Sequence, residues 1–319
     1  MELTIAVTNK CNLHCDFCIN DERMKQEKTM SKDLPELLED YLEAHGDQYD
    51  GFALTGGEPL MDSTKLENIL SVLLSHSEDK MITINTNACY LTQEMVRVFN
   101  SFDNIHVMVS IDTILESERG IFKLLENDYR EGYLTLRNIL NLKSKSIVVV
   151  LTRSLIKRFD MALQIGLLAK YFDCKIVLAL DGRPSALSEL TIDDVHLIGT
   201  MIYNLSIQGV YHRVMFKQFF TNACHGHDYH TFGWNGLIRE SCTHTSEKSC
   251  GKYQDLMKPG LYDILSKLIN YDKFDYTTTI EDEPNYDPSR GTIGKRYAEH
   301  QPKRKQLQYG ERINIRQVG

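Results

Sequence analysis

The sequence predicts an α/β fold built on a parallel sheet. Three observations carry this: six short runs rich in Val, Ile and Thr recur within the first 185 residues, segments with helical apolar spacing separate them, and chemistry-bearing residues gather just after the runs. The strand runs are Leu3–Thr8, Gly51–Thr55, Met81–Thr86, Ile105–Ile111, Ile147–Thr152 and Lys175–Leu180.

Each helix has its own pattern. Leu34, Leu37, Leu38, Tyr41 and Leu42 follow i, i+3, i+4, i+7, i+8, with Ser31 as N-cap and Gly46 as stop. Leu66, Ile69, Leu70, Leu73 and Leu74 repeat that stripe after Asp62, and Thr92 caps a third helix through Met95 and Phe99. Residues 115–143 hold one or two more, and Asp160 opens another across Ala162–Phe172. Strand–helix alternation places the helices outside a parallel sheet, as either a doubly wound sheet or an incomplete barrel. In both, an active site forms at the C-terminal ends of the strands.

After about residue 185 the pattern changes. A helix from Thr191 to Gln208, with Val195, Ile198, Ile202 and Leu205 on one face, leads into an irregular stretch over 219–260. A short helix over Leu261–Ile269 precedes a polar tail. The expected division is therefore 1–185, 186–269 and 270–319. The tail reads as a solvated extension, although 295–316 carries seven Lys or Arg against two Glu and also suits an anionic substrate or partner.

Composition is that of an ordinary soluble protein: 42% apolar, 25% charged and net charge −8 over 319 residues. The acidic balance, without an interleaved basic–aromatic stripe, speaks against a nucleic-acid partner. The N-terminus reads as a strand rather than a signal peptide, and no apolar run is long enough to span a bilayer. A cytoplasmic location is expected, with no membrane partner. Eight cysteines in a reducing compartment should then be thiols. Lone Cys89 and Cys174 read as small buried residues.

Cys11, Cys15 and Cys18 follow the first strand directly. Three thiolates this close can wrap a metal centre. Zinc would need a fourth ligand, for which His14 is at hand, whereas a 4Fe–4S cube bound by three cysteines keeps one iron open for chemistry.

The run Cys11-Asn12-Leu13-His14-Cys15-Asp16-Phe17-Cys18 resembles the signature of the radical S-adenosylmethionine (SAM) superfamily, with the aromatic Phe17 before the last cysteine. Thr55-Gly56-Gly57-Glu58-Pro59-Leu60, ending the second strand, resembles that family's second motif. The resemblance covers residues 1–185 and implies an incomplete (β/α)6 TIM-like barrel with a small C-terminal cysteine-containing extension. It implies two cofactors: a 4Fe–4S cluster on Cys11, Cys15 and Cys18, and SAM bound at its open iron. An electron to the cluster would cleave SAM to a 5′-deoxyadenosyl radical that takes hydrogen from substrate, and a flavodoxin- or ferredoxin-type donor would supply that electron.

Further positions carry the likeness. Gly56 and Gly57 allow close backbone approach to the cofactor, Glu58 can accept from the methionine ammonium, and Pro59 fixes the turn. Asn87, Ser110, Asp112 and Arg119 resemble further SAM contacts at later strand ends, as does Arg153 less closely. Ala88 and Thr113 stand where relatives often have glycine.

Cys224, Cys242 and Cys250 form a looser group, with a hairpin signal at Asn235-Gly236. The layout partly resembles the auxiliary-cluster domains called SPASM and Twitch, but lacks their later Cys-x2-Cys pair. Three readings stand: a second iron–sulfur cluster, zinc completed by His225, His227, His230 or His244, or separate reduced thiols.

The leading expectation is an enzyme that matures a peptide by cross-linking, oxidising or epimerising a residue. Against it, the chain begins at the first strand, with no leader-binding domain before it. The alternative is a small-molecule substrate such as a sugar, nucleotide or cofactor precursor. A non-catalytic iron–sulfur or zinc protein is the reading from another class.

Overall fold

A computed structural model describes residues 2–18, 33–76, 79–114, 119–121, 125 and 129–210, with the short segments 212–214, 229–232 and 238–239. Six parallel strands appear in chain order: β1 (Glu2–Thr8), β2 (Gly51–Gly56), β3 (Met81–Thr86), β4 (Ile105–Ser110), β5 (Lys145–Leu151) and β6 (Lys175–Leu180). Each pairs in parallel with the next. Between them run α1 (Leu34–His45), α2 (Ser63–His76), α3 (Gln93–Asn100), α4 (Tyr129–Asn141), the short α5 (Arg153–Ile156) and α6 (Met161–Phe172). The architecture is an incomplete (β/α)6 barrel.

Strand residues alternate between two environments, as the pleat requires. Leu3, Ile5, Val7, Phe52, Leu54, Ile82, Ile84, Val107, Val109, Ile147, Val149, Ile176 and Leu178 are buried in the core with the helices. On the opposite face Thr55, Asn85, Met108, Ser110, Val148, Val150 and Ala179 are only half-buried. These are small or neutral side chains, and they leave the concave face accessible.

Helix starts agree with the capping chemistry in most places. Thr92 accepts from Met95 N at the head of α3, at 3.2 Å. After β6, α7 (Pro184–Glu189) precedes α8 (Ile192–Ile207), where Thr191 and Asp194 form a reciprocal capping box. The N-cap of α1 is Asp33, while Ser31 lies outside the described residues. Pro35 accounts for the start: proline belongs in the first helical turn, where its missing N–H costs nothing.

Three short strands extend the same sheet: β7 (His212–Val214) beside β6, β8 (Tyr229–Phe232) parallel to β1, and β9 (Ile238–Arg239) antiparallel to β8. The antiparallel pair flanks Asn235-Gly236, as that hairpin signal predicts. The sheet order is β7-β6-β5-β4-β3-β2-β1-β8-β9, so β1 lies inside the sheet. The tail from residue 240 onward, with the predicted helix over Leu261–Ile269, lies outside the described residues.

Candidate active site

The cysteine loop leaves the C-terminal end of β1 and meets the ends of the other strands. At β2, Gly57 N donates to Thr8 O (2.8 Å) and Glu58 N donates to Lys10 O (2.7 Å). A Cβ on Gly57 would fall 2.1 Å from Lys10 O, and one on Gly56 would fall 2.3 Å from Thr8 O. Gly56 also has φ +145, which disfavours a side chain. These glycines permit close approach to the end of β1 and to the start of the cysteine loop.

At β3, Asn87 Nδ2 donates to Asn12 Oδ1 (2.9 Å) and lies 3.9 Å from Cys11 Sγ, while Asn87 Oδ1 accepts from Cys89 N (3.0 Å). Leu13 N also points at Cys11 Sγ, at 3.4 Å. Glu58 joins the two strand ends. Its carboxylate accepts from Leu60 N (3.1 Å), Asn87 N (2.7 Å) and the Thr86 hydroxyl. The side chain is 1% exposed, and burial pushes its pKa up to about 7 against the lowering effect of those three bonds. In this geometry Glu58 fixes β2 to β3 from beneath the loop. Pro59, also buried, opens a 3-10 turn over Pro59–Met61.

At β4, Asp112 is fully buried and forked by Arg119, with Nε to Oδ2 at 2.9 Å and Nη2 to Oδ1 at 2.6 Å. It also accepts from Val150 N of β5 (2.8 Å). The Arg119 guanidinium stacks on Phe17, 4.8 Å from the ring centroid. Ser110 sits half-buried at the same strand end. Arg153 is directed elsewhere, donating to Asp194 of α8 at 3.0 Å. At β6, Arg183 pairs with Asp181 and donates to the main-chain oxygen of Asp16.

Thus Cys11, Cys15, Cys18, Phe17, Gly56, Gly57, Glu58, Pro59, Asn87, Ser110, Asp112 and Arg119 all gather at one end of the barrel. Asn12, Asp181 and Arg183 join them without having been expected. An Asp-x-Arg triplet immediately after the last strand was the available signal. Cys224, Cys242, Cys250, His225, His227 and His244 lie outside the described residues, and His230 falls within β8.

The donor set suits an iron–sulfur cube. The three half-buried cysteines are thiols rather than disulfides, and N–H groups face Cys11 Sγ. Burial pushes the Cys11 thiol up, and the charges of Glu58 and Cys18 push it further, so binding a cation would relieve that strain. Among the described residues no three His, Cys, Asp or Glu side chains converge on a single-ion point. A cube takes one thiolate per iron and does not require such convergence.

Comparison with known proteins agrees. Residues 5–156 match the family model of the radical SAM superfamily. The chain is 32% identical to the GTP 3′,8-cyclase of Listeria welshimeri over 115 residues, 33% of this chain and 34% of the cyclase. An uncharacterized protein of Methanocaldococcus jannaschii is 29% identical over 147 residues, 46% of this chain and 49% of that protein. The chain thus spans a third to a half of the length of these relatives. Among solved structures, anSMEcpe with bound AdoMet superposes with a TM-score of 0.58 at 14% identity, covering 84% of this chain and 82% of that one. Streptococcus suis SuiB bound to precursor peptide SuiA superposes with a TM-score of 0.56 at 14% identity, covering 83% of this chain and 66% of SuiB.

Proposed function

We propose that this chain, whose residues 5–156 match the radical SAM family model, is an enzyme of that class that abstracts hydrogen from a peptide undergoing maturation. Cys11, Cys15 and Cys18 would hold the 4Fe–4S cluster, which supplies the electron that cleaves SAM to methionine and a 5′-deoxyadenosyl radical. The chain's own residues bind and orient. Asn87 and Leu13 direct N–H groups at Cys11, Phe17 is held under Arg119, and Gly56 and Gly57 bring the second motif against the loop. Gly56, Gly57, Glu58, Pro59, Phe17, Asn87, Ser110, Asp112 and Arg119 are the proposed SAM-binding set, in which the buried Glu58 and Asp112 would act by holding the strand ends.

One observation carries the choice of substrate class. The arginines at three strand ends are already paired: Arg119 with Asp112, Arg153 with Asp194, and Arg183 with Asp181. Among the described residues, the half-buried concave face offers hydroxyl, amide and aliphatic groups instead. That environment suits a neutral side chain better than a triphosphate. Peptide complexes of fold neighbours, SuiB with SuiA and anSMEcpe with the Cp18Cys peptide, support this reading. The identity to GTP 3′,8-cyclase supports the second reading, a nucleotide or other small-molecule substrate.

A second cluster on Cys224, Cys242 and Cys250, and a flavodoxin- or ferredoxin-type donor, complete the proposal. A cytoplasmic location fits it, and among the described residues no helix is long and apolar enough to cross a membrane.

Two experiments test this. The protein is reconstituted without oxygen, beside a Cys11/Cys15/Cys18→Ala variant, and iron, sulfide and EPR spectra are compared. About four irons remaining in the variant would support the auxiliary cluster, and an iron-free variant would remove it. Reduced wild type is then offered SAM with short peptides encoded near its gene, or with GTP. Peptide-dependent 5′-deoxyadenosine and a changed peptide mass are expected. Turnover of GTP with inert peptides would overturn the peptide reading.

A further inference from the structure

The cysteine loop begins at β1, yet its far end is held by a residue that follows β6. Asp181 is 5% exposed, and its backbone N–H donates to Leu151 O (3.3 Å), which ties it to the end of β5. Its carboxylate accepts from Arg183 Nε (3.0 and 3.2 Å), Arg183 Nη2 (2.7 Å) and the Arg183 backbone N–H (3.2 Å). A guanidinium forked this way is oriented before it meets anything else. Its remaining terminal nitrogen, Nη1, donates to the main-chain oxygen of Asp16. That peptide lies between Cys15 and Cys18, inside the turn closed by Cys18 N and Cys15 O (2.9 Å).

We infer that Arg183 is a positioning residue for the metal-binding loop, fixing the peptide between Cys15 and Cys18 from the end of β6. Cys11 is held by Asn87 at β3 and by the β2 backbone, and Arg183 adds an anchor from β6 to the turn that carries the other two thiols, beside the Arg119 stack on Phe17. Loss of that anchor leaves Cys11 in place and loosens the Cys15–Cys18 turn. The inference rests on the loop being the cluster site, but its first test needs no cluster.

Full-length, cluster-free protein is alkylated with iodoacetamide without oxygen, and the rate at each cysteine is read by mass spectrometry. Arg183→Met is expected to speed alkylation of Cys15 and Cys18 by at least about fivefold through local opening, with Cys174 unchanged. Arg183→Lys, which keeps one charged donor toward Asp16, should recover part of the protection. Asp181→Asn should lose part of it, because the fork is weakened. After reconstitution, Arg183→Met should show altered EPR g-values without added SAM. Equal rates at Cys15 and Cys18 in Arg183→Met and wild type would overturn the inference. So would an equal rise at Cys174, which would report general loosening. If the triple cysteine variant lost no iron, the cluster reading would fail while the alkylation result stood.

Discussion

The guanidinium of Arg119 lies 4.8 Å from the ring centroid of Phe17, while the carboxylate of Asp112 holds its Nε and Nη2. One side chain thus joins the buried end of β4 to the cysteine loop. Replacing Arg119 with Met would strand Asp112, which is fully buried, and should cost about 3–5 kcal/mol. Adding Asp112→Asn should recover more than half of that, because the amide oxygen it introduces can still accept from Val150 N while carrying no charge. Urea denaturation of the two cluster-free variants checks the order. A double variant less stable than Arg119→Met would contradict the buried-charge account.

Glu58 predicts a pH dependence. Its folded pKa of about 7 lies above its ordinary value of 4.5, so the folded state binds the extra proton. The stabilisation from that proton is fully present below pH 4.5, falls by up to about 1.4 kcal/mol per pH unit on rising toward 7, and is gone above it. Glu58→Gln removes this slope, although Asn87 N loses its acceptor and lowers the whole curve. Denaturation midpoints of both proteins from pH 5 to 8 should converge as pH rises. Parallel curves would refute the assignment.

Ala88 adopts φ +61 and is fully buried. A left-handed alanine costs about 1–2 kcal/mol, against roughly 0.8 kcal/mol for burying its methyl. Ala88→Gly should therefore stabilise slightly, by up to about 1 kcal/mol, as read by thermal melting. A clear loss would mean that the methyl packs better than the strain costs.

Gly57→Ala brings a Cβ to 2.1 Å from Lys10 O, a backbone atom that cannot step aside without moving Cys11. The cost should be about 3 kcal/mol or more, concentrated in the loop. Iron retention after gel filtration should fall more steeply than the melting temperature of the cluster-free protein. A fully loaded variant would show that the loop yields cheaply.

Much of the barrel was legible because each element satisfies a local rule. Thr92 and Thr191 cap the helices they precede, and the six apolar runs are the six strands. The cysteine loop and the Gly56-Gly57 turn were legible as contiguous motifs. What the motifs left hidden was their mutual dependence. Glu58 and Asn87 read as ligands for a cofactor, yet they also bind each other and the loop, through bonds spanning 29 and 75 residues. β8 was illegible for another reason: four residues carry too little periodicity to signal a strand, and only pairing with β1 defines it. Arg183 belonged to no motif, and its contact with Asp16 crosses 167 residues.

That separation has a consequence for biosynthesis. The cysteines leave the ribosome well before Arg183, so their turn gains this anchor only after β6 and Arg183 have emerged and folded. Contacts so distant along the chain form late. Metal delivered to the nascent protein earlier would meet a loop that still lacks its tie to β6. Efficient loading should therefore be a post-translational event, timed by completion of the barrel rather than by synthesis of the ligands.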